Sequence, residues 1–178
     1  MTPETLGMRV SLIPWESLTP NEQRSVSALD ISPQQIEYAG TIEHSIELCE
    51  ASHAGNIVGL AIKHGADVVG FFLLKRRSDA PVWAADRAAV VSAMRVDQSR
   101  QGKGLGTAAL HALALWVEEY WPESSAIMLS VDEGNGAGIR AYGKAGFQEL
   151  GIREQGRIGW VRYMTLATPL LSPGPAAP

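Results

Sequence analysis

The sequence lacks several features that would assign a function class directly. It has one cysteine, Cys49, in 178 residues, so no disulfide can close within the chain, and a reducing compartment is the default. No apolar run approaches bilayer length. Met1 to Val10 has neither the basic start nor the apolar core of a signal peptide. Basic residues are in deficit, 15 Lys and Arg against 19 Asp and Glu for a net charge of −4, whereas nucleic-acid partners usually demand a basic stripe. His44, His53, His64 and His111 show no metal-ligand spacing. No internal repeat is visible. The expectation is a cytoplasmic protein with no metal, no nucleic-acid partner and no membrane span.

What is present suits a soluble globular protein. Hydrophobic residues make up 46% of the chain and both charge signs occur, which is enough for one full core. Residues 1–167 read as a single domain. Residues 168–178 hold four prolines and read as a flexible extension.

The periodicity changes along the chain. Met8 to Ile13 alternates weakly, as a first strand would, and Pro14 ends it. Thr19-Pro20-Asn21-Glu22 and Ser32-Pro33 are helix starts, with Thr or Ser as the cap and Pro at the first helical position. Ile36, Ile42, Ile46 and Leu48 are the expected buried side of the second helical stretch, with a break at Gly40. Residues 57–63 and 68–75 are rich in Val, Ile, Leu and Phe around His64-Gly65-Ala66-Asp67, a β-hairpin signal. Residues 89–96 form an apolar run of strand length. Residues 107–120 have helical spacing, with Leu110, Leu113, Ala114 and Val117 on one side. A strand over 126–131, a short helix over 138–145 and closing strands over 147–150 and 159–166 complete a mixed α/β layout: helices on a central, mostly antiparallel sheet.

Between the strand and the helix lies Gln101-Gly102-Lys103-Gly104-Leu105-Gly106-Thr107. A helix start offers unpaired N–H groups and a partial positive charge, and glycines let backbone approach an anion. Together they make a phosphate cradle, with Lys103 and Arg100 at its rim. A Walker loop is excluded, because no Lys precedes Thr107 at the required spacing. The dinucleotide fingerprint fails because its third glycine would fall on Thr107. The pattern that fits is Gln/Arg-x-x-Gly-x-Gly/Ala, carried by Gln101, Gly104 and Gly106.

In that context the stretch Asp97 to Leu110 resembles the coenzyme-binding motif of the GNAT superfamily of N-acetyltransferases. A second motif follows in the right order. Leu129-Ser130-Val131 resembles the family's fifth strand, Asn135 to Tyr142 its Asn-x-x-Ala/Ser-x-x-x-Tyr element, and Tyr142-Gly143-Lys144-Ala145-Gly146-Phe147 its Tyr-x-Lys-x-Gly-Phe element. Gly138 stands where the family usually has Ala or Ser, and Gly143 replaces a common Glu. The segment from Ser32 to Glu47 is similar to the second helical region of polyamine-type members.

The resemblance implies a GNAT fold with splayed fourth and fifth strands and acetyl-CoA as cosubstrate. The pyrophosphate would sit on the N–H groups of Gln101 to Thr107, including those of Gly102, Lys103, Gly104, Leu105 and Gly106. The pantetheine arm would run beside the backbone of Met94 and Val96, with Asn135 bonding to it or to a linked water. Tyr142 would be the general acid for the departing thiolate. The base is open: the fourth strand carries no carboxylate, leaving a held water, Ser130, or the more distant Glu37, Asp86 and Asp132. Arg95, in an apolar strand, is expected to snorkel from an edge, with reach to the substrate or pairing with a carboxylate as the other readings. Trp83 is expected to cap a substrate cleft, and Trp116, Trp121 and Trp160 to pack. The acceptor expected first is a small polyamine-like primary amine, with Glu37, Glu43, Glu47 and Glu50 attracting its charge. An amino acid, an antibiotic or a protein N-terminus are the other acceptors, and a non-catalytic acyl-CoA-binding module is the reading outside enzymes. By analogy with family members that pair through sheet edges, a homodimer is expected.

Overall fold

The computed structural model describes residues 8–168. Of the extension expected over 168–178, all but Thr168 lies outside the described residues. Thr168 is 5% exposed, and its hydroxyl donates to the Ser124 carbonyl at 2.7 Å.

The elements in chain order are β1 (Ser11–Pro14), α1 (Pro20–Ser27), α2 (Pro33–Ala39), α3 (Ile42–Ala51), β2 (Ile57–His64), β3 (Asp67–Lys75), β4 (Ala88–Val96), α4 (Leu105–Tyr120), β5 (Ala126–Asp132), α5 (Gly136–Lys144), β6 (Gln148–Gln155) and β7 (Trp160–Ala167). The strands form one seven-stranded sheet in the order β1-β2-β3-β4-β5-β7-β6. Only the β4–β5 pair is parallel. This is the expected mixed, mostly antiparallel sheet with helices on both faces. Among the described residues no helix is long and apolar enough to cross a membrane.

The two-sided cover explains the continuous apolar run of β3. Side chains alternate across a strand. Phe72 and Leu74 therefore enter the core beneath α4 with Leu110, Leu113 and Val117. Phe71 and Leu73 enter a second core with Val26 of α1 and Ile42 of α3. The hairpin joining β2 to β3 turns on Gly65, whose φ of 62° is costly for other residues.

Local signals set the helix starts. Thr19 and Glu22 form a reciprocal capping box on α1. Ser32 and Thr41 accept from backbone N–H groups in the first turns of α2 and α3, and Asn135 does the same on α5. The break at Gly40 is real, with φ 75° at the α2 C-cap. Ile36 is a correction: it is 40% exposed rather than buried, because α2 ends one turn later and the burial passes to Ile42 and Ser45 of α3.

The closing hairpin is longer than its hydrophobicity announces. β6 runs to Gln155 rather than stopping at Leu150, and all its residues are exposed. It is an edge strand with no buried face, so it shows no alternation to read. Gly151 at φ 73° and a register shift between Glu149 and Arg153 interrupt it further. Polar pairing holds it to its neighbours: Glu133 accepts from Arg153 and Arg162, and Arg162 also pairs with Glu149. Trp160 is 46% exposed rather than packed, with Arg153 over its ring at 4.8 Å.

Candidate active site

Pairing between β4 and β5 begins at Ala88 with Ala126 and stops at Val90 with Met128. Beyond that point the two strands separate, and their facing edges are free of each other. The separation has a cause in β4. Ser92 pairs with Leu73 and Arg95 with Phe71, so Ala93 and Met94 together face Phe72 alone. That is a β-bulge, and it bends its strand. Ala93 sits in the left-handed region at φ 56°.

The wedge between the strands is a cleft of about 150 Å³. Ser92, Ala93 and Met94 line one side, and Ser130 and Asp132 the other. Tyr142 of α5 enters it, as do Trp83 from the loop before β4 and Tyr38 from the last turn of α2. Trp83 is braced by Tyr163, with ring centroids 4.8 Å apart. Tyr38 lies against Gly134: a Cβ there would meet the Tyr38 hydroxyl at 2.8 Å. Tyr38 was missed in the sequence because its role depends on this contact across the chain. Gly134, three residues after Val131 in a turn, gave no hint of what covers it.

Two groups in the cleft titrate away from their usual ranges. Burial pushes the Tyr142 phenol up to about 12. Its ring packs edge-on against Phe147 at 5.9 Å between centroids. Burial also pushes the Asp132 carboxyl above the usual carboxylate range; the positive charge of Arg157 opposes this, and the negative charge of Glu37 adds to it. Asp132 is the one of the three distant carboxylates that lines the cleft. Asp86 is exposed and is not part of the lining, and neither are Glu43, Glu47 and Glu50. Glu50 instead accepts from the Trp15 indole at 3.0 Å, and Glu47, 75% exposed, stands beside His44.

The glycine loop lies beyond the end of β4. Gln101, Gly102, Lys103 and Gly104 are exposed, and Leu105 is buried as the first residue of α4. Gly102 and Gly104 adopt φ of 72° and 80°, the left-handed region that explains glycine at both places. Gly104 is the N-cap, and no side chain caps α4. Every other α-helix in the described residues has a side-chain cap. The first N–H groups of α4, at Leu105, Gly106 and Thr107, are therefore directed to solvent or to an anion. The loop's form is held from within: the Gln101 amide donates to the Val96 carbonyl at 3.1 Å, and the Lys103 ammonium to that of Ser99 at 3.1 Å. Arg100 pairs with Asp67 at 2.8 Å, which takes part of its charge from the rim.

Met94 thus lies in the cleft, and Val96, paired with Gly70 of β3, leads from it to the loop. Asn135 is not among the lining residues. Its Oδ1 accepts from the Gly138 N–H at 3.0 Å and caps α5, leaving its amide nitrogen free of that task. The same contact accounts for glycine at 138: a Cβ would meet the Asn135 side chain at 2.6 Å.

Arg95 overturns its expectation. It does not snorkel at an edge but is 1% exposed, bonded to the Ala93 and Gly40 carbonyls and the Ser45 hydroxyl. β4 is a central strand covered on both faces, so no edge lies within reach.

Comparison with known proteins bears on this arrangement. Residues 16–147 match the acetyltransferase (GNAT) family. The spermine/spermidine N(1)-acetyltransferase of Bacillus subtilis (strain 168) is 29% identical over 140 residues, covering 75% of this chain and 86% of that protein. Among solved structures, an aminoglycoside acetyltransferase in complex with coenzyme A superposes with a TM-score of 0.73 at 19% identity, covering 90% of this chain and 96% of the other. A spermidine N-acetyltransferase from Vibrio cholerae, in complex with CoA and spermine, superposes with a TM-score of 0.69 at 17% identity over 91% and 97%.

Proposed function

The chain belongs to the acetyltransferase (GNAT) family, and from that premise we propose that it moves the acetyl group of acetyl-CoA directly onto the primary amine of a small, polyamine-like molecule. The observation that carries this reading is the content of one wedge. Tyr142, a phenol kept protonated by burial, and Asp132, a carboxylate, line the same cleft, which lies at the end of the strand leading to an uncapped helix.

The donor fits the chain at two places. The N–H groups from Gln101 to Thr107 would hold the pyrophosphate, as the left-handed glycines and the absent side-chain cap support. The free edge of β4 past Val90 would pair with the amide groups of the pantetheine arm near Met94 and Val96. Asn135 has an amide nitrogen to spare for the arm or a linked water.

The acceptor side is anionic and aromatic. Asp132 attracts an ammonium, and the rings of Tyr38 and Trp83 favour one over their faces. An ammonium cannot attack, so its proton must leave first. Asp132 takes that proton, helped by the raised basicity that burial confers. The amine nitrogen then bonds to the acetyl carbon, the carbon–sulfur bond breaks, and the Tyr142 O–H donates its proton to the thiolate sulfur; the second proton leaving the acylated nitrogen returns to the Tyr142 phenolate. The products are an acetamide and free CoA, with no metal required. The names of the Bacillus and Vibrio relatives support a polyamine acceptor.

The exposed edge of β6 supports a homodimer, with Leu150 and Ile152 41% and 53% exposed along it. The lone cysteine supports a cytoplasmic enzyme, with residues 1–167 as its acetyltransferase domain.

Release of free thiol from acetyl-CoA across a panel of amines tests the reading. Spermidine and spermine should turn over fastest, with the acetylated product identified by mass. Faster turnover of amino acids, aminoglycosides or peptide N-termini would replace the acceptor. Tight acetyl-CoA binding with no turnover on any amine would make the chain an acyl-CoA-binding module.

A further inference from the structure

Arg95 heads the fully buried side chains by size. Every hydrogen bond its guanidinium makes goes to a neutral acceptor. Nε donates to the Ala93 carbonyl at 2.9 Å, Nη1 to the Gly40 carbonyl at 3.0 Å, and Nη2 to the Ser45 hydroxyl. Among the described residues no carboxylate is bonded to it; Glu43 acts only through space. Burial lowers it to about 10, so it remains a cation at neutral pH.

A buried cation without an ion-pair partner is expensive. Arg95 stands opposite Phe71, one of the residues of the core that includes Leu73, Ala61 and Ile42, and an apolar side chain there would cost less to bury. What an apolar side chain would not supply is the set of three bonds, one to a residue that lines the cleft, one to the cap of a helix that reaches it, and one to the helix packed behind. Ala93 is the bulged, left-handed residue of β4 that lines the donor wall. Gly40 caps the helix whose Tyr38 lines the acceptor wall. Ser45, 2% exposed, anchors α3 behind both. The guanidinium is planar and rigid, so it fixes the separation of the atoms it joins.

We propose that Arg95 is a positioning residue, setting the spacing between the bulge of β4 and the end of α2 and hence between the thioester and the attacking amine. It touches neither reactant. The claim rests on the acetyl-transfer reading, but the mechanical coupling of the two walls does not.

Arg95→Lys and Ser45→Ala test it. A lysine keeps the charge but cannot span three acceptors; the serine change removes a single hydroxyl and serves if Arg95→Lys fails to fold. Near-attack geometry is sensitive at the ångström scale, so kcat should fall about tenfold or more in Arg95→Lys and about threefold in Ser45→Ala. Affinity for acetyl-CoA should fall much less than kcat, because the loop and α4 that would hold the pyrophosphate are untouched and only the pairing beside the bulge is disturbed. Amide hydrogen exchange should quicken together over residues 36–46 and 91–96. A kcat that falls only with the folded fraction, a matching loss of acetyl-CoA affinity, or faster exchange in one wall alone would overturn the proposal. If the unaltered protein acetylates no amine, the functional reading fails, and the exchange pattern still decides whether Arg95 couples the walls.

Discussion

The guanidinium of Arg157 donates to the backbone oxygen of Glu37, 120 residues earlier in the chain, while its charge bears on the carboxyl of Asp132. Arg157 sits in the turn between β6 and β7. It satisfies a carbonyl at the end of α2, where a helix has oxygens to spare. One side chain thus ties the closing hairpin to the end of α2 and tunes the Asp132 carboxyl.

The pH dependence of kcat/KM should report this pair. A nearby cation favours the ionised carboxylate and lowers its pKa; burial and Glu37 act the other way. Removing the cation in Arg157→Gln takes away the larger of the two downward pushes, the other being a backbone hydrogen bond, so the acid limb should move to higher pH. Asp132→Asn should abolish that limb and raise the KM for a cationic acceptor. Glu47→Gln should leave KM unchanged, since Glu47 lies outside the cleft. An acid limb indifferent to both Arg157 and Asp132 would remove Asp132 as the base.

Tyr142→Phe should lower kcat by about 10² to 10⁴, the usual worth of a positioned proton donor. Affinity for acetyl-CoA should change little, as isothermal titration would show. With its phenol at about 12, Tyr142 should add no alkaline limb near the ordinary tyrosine value of 10. A variant that turns over normally would leave Tyr142 a packing residue against Phe147.

Gly104→Val should weaken acetyl-CoA binding through the backbone alone. A Cβ at 104 would meet nothing within 4 Å, so space is not the obstacle. The obstacle is φ 80°, which costs a β-branched residue about 1–3 kcal/mol. Equal affinities in wild type and variant would show that the donor binds elsewhere.

Acid should loosen the β6–β7 hairpin and the start of α1. Arg153 and Arg162 hold Glu133 at about 2, and Lys63 and Thr19 hold Glu22 at about 2. Both are depressed from 4.5, so their contribution is full above that value and is lost as pH falls through about 2. The melting temperature should therefore drop across this window, less steeply in Glu133→Gln and in high salt. Parallel curves for wild type and variant would discount the Glu133 network.

The parts that could be read from the sequence are those encoded locally. Thr19-Pro20, Ser32-Pro33 and Gly40 marked helix ends through their own side chains or lack of one. Gly104, Asn135 and Tyr142 were named from motif spacing, and they stand at the start of α4, at the N-cap of α5 and in the cleft because loop, turn and helix follow one another directly. Arg95 was misread because its acceptors are two backbone carbonyls and a hydroxyl, the farther ones 55 and 50 residues away. No complementary charge stood in the sequence to betray them. Tyr38 reaches the cleft, and Arg157 the carbonyl of Glu37, only once the sheet has brought α2 and the last hairpin together. β6, exposed along its whole length, had no hydrophobic pattern to recognise.

The uncapped start of α4 has a consequence beyond binding. A threonine or serine there would seal the helix with the chain's own atoms, as Thr19, Ser32 and Thr41 do elsewhere. With Gly104, the proposed donor supplies the missing acceptor, and part of the protein's stability becomes a matter of mass action. That part grows with the logarithm of acetyl-CoA concentration over its dissociation constant. When the metabolite is scarce, more of the protein is unfolded and open to proteolysis. The lifetime of the enzyme in the cell would then follow the supply of its own cosubstrate.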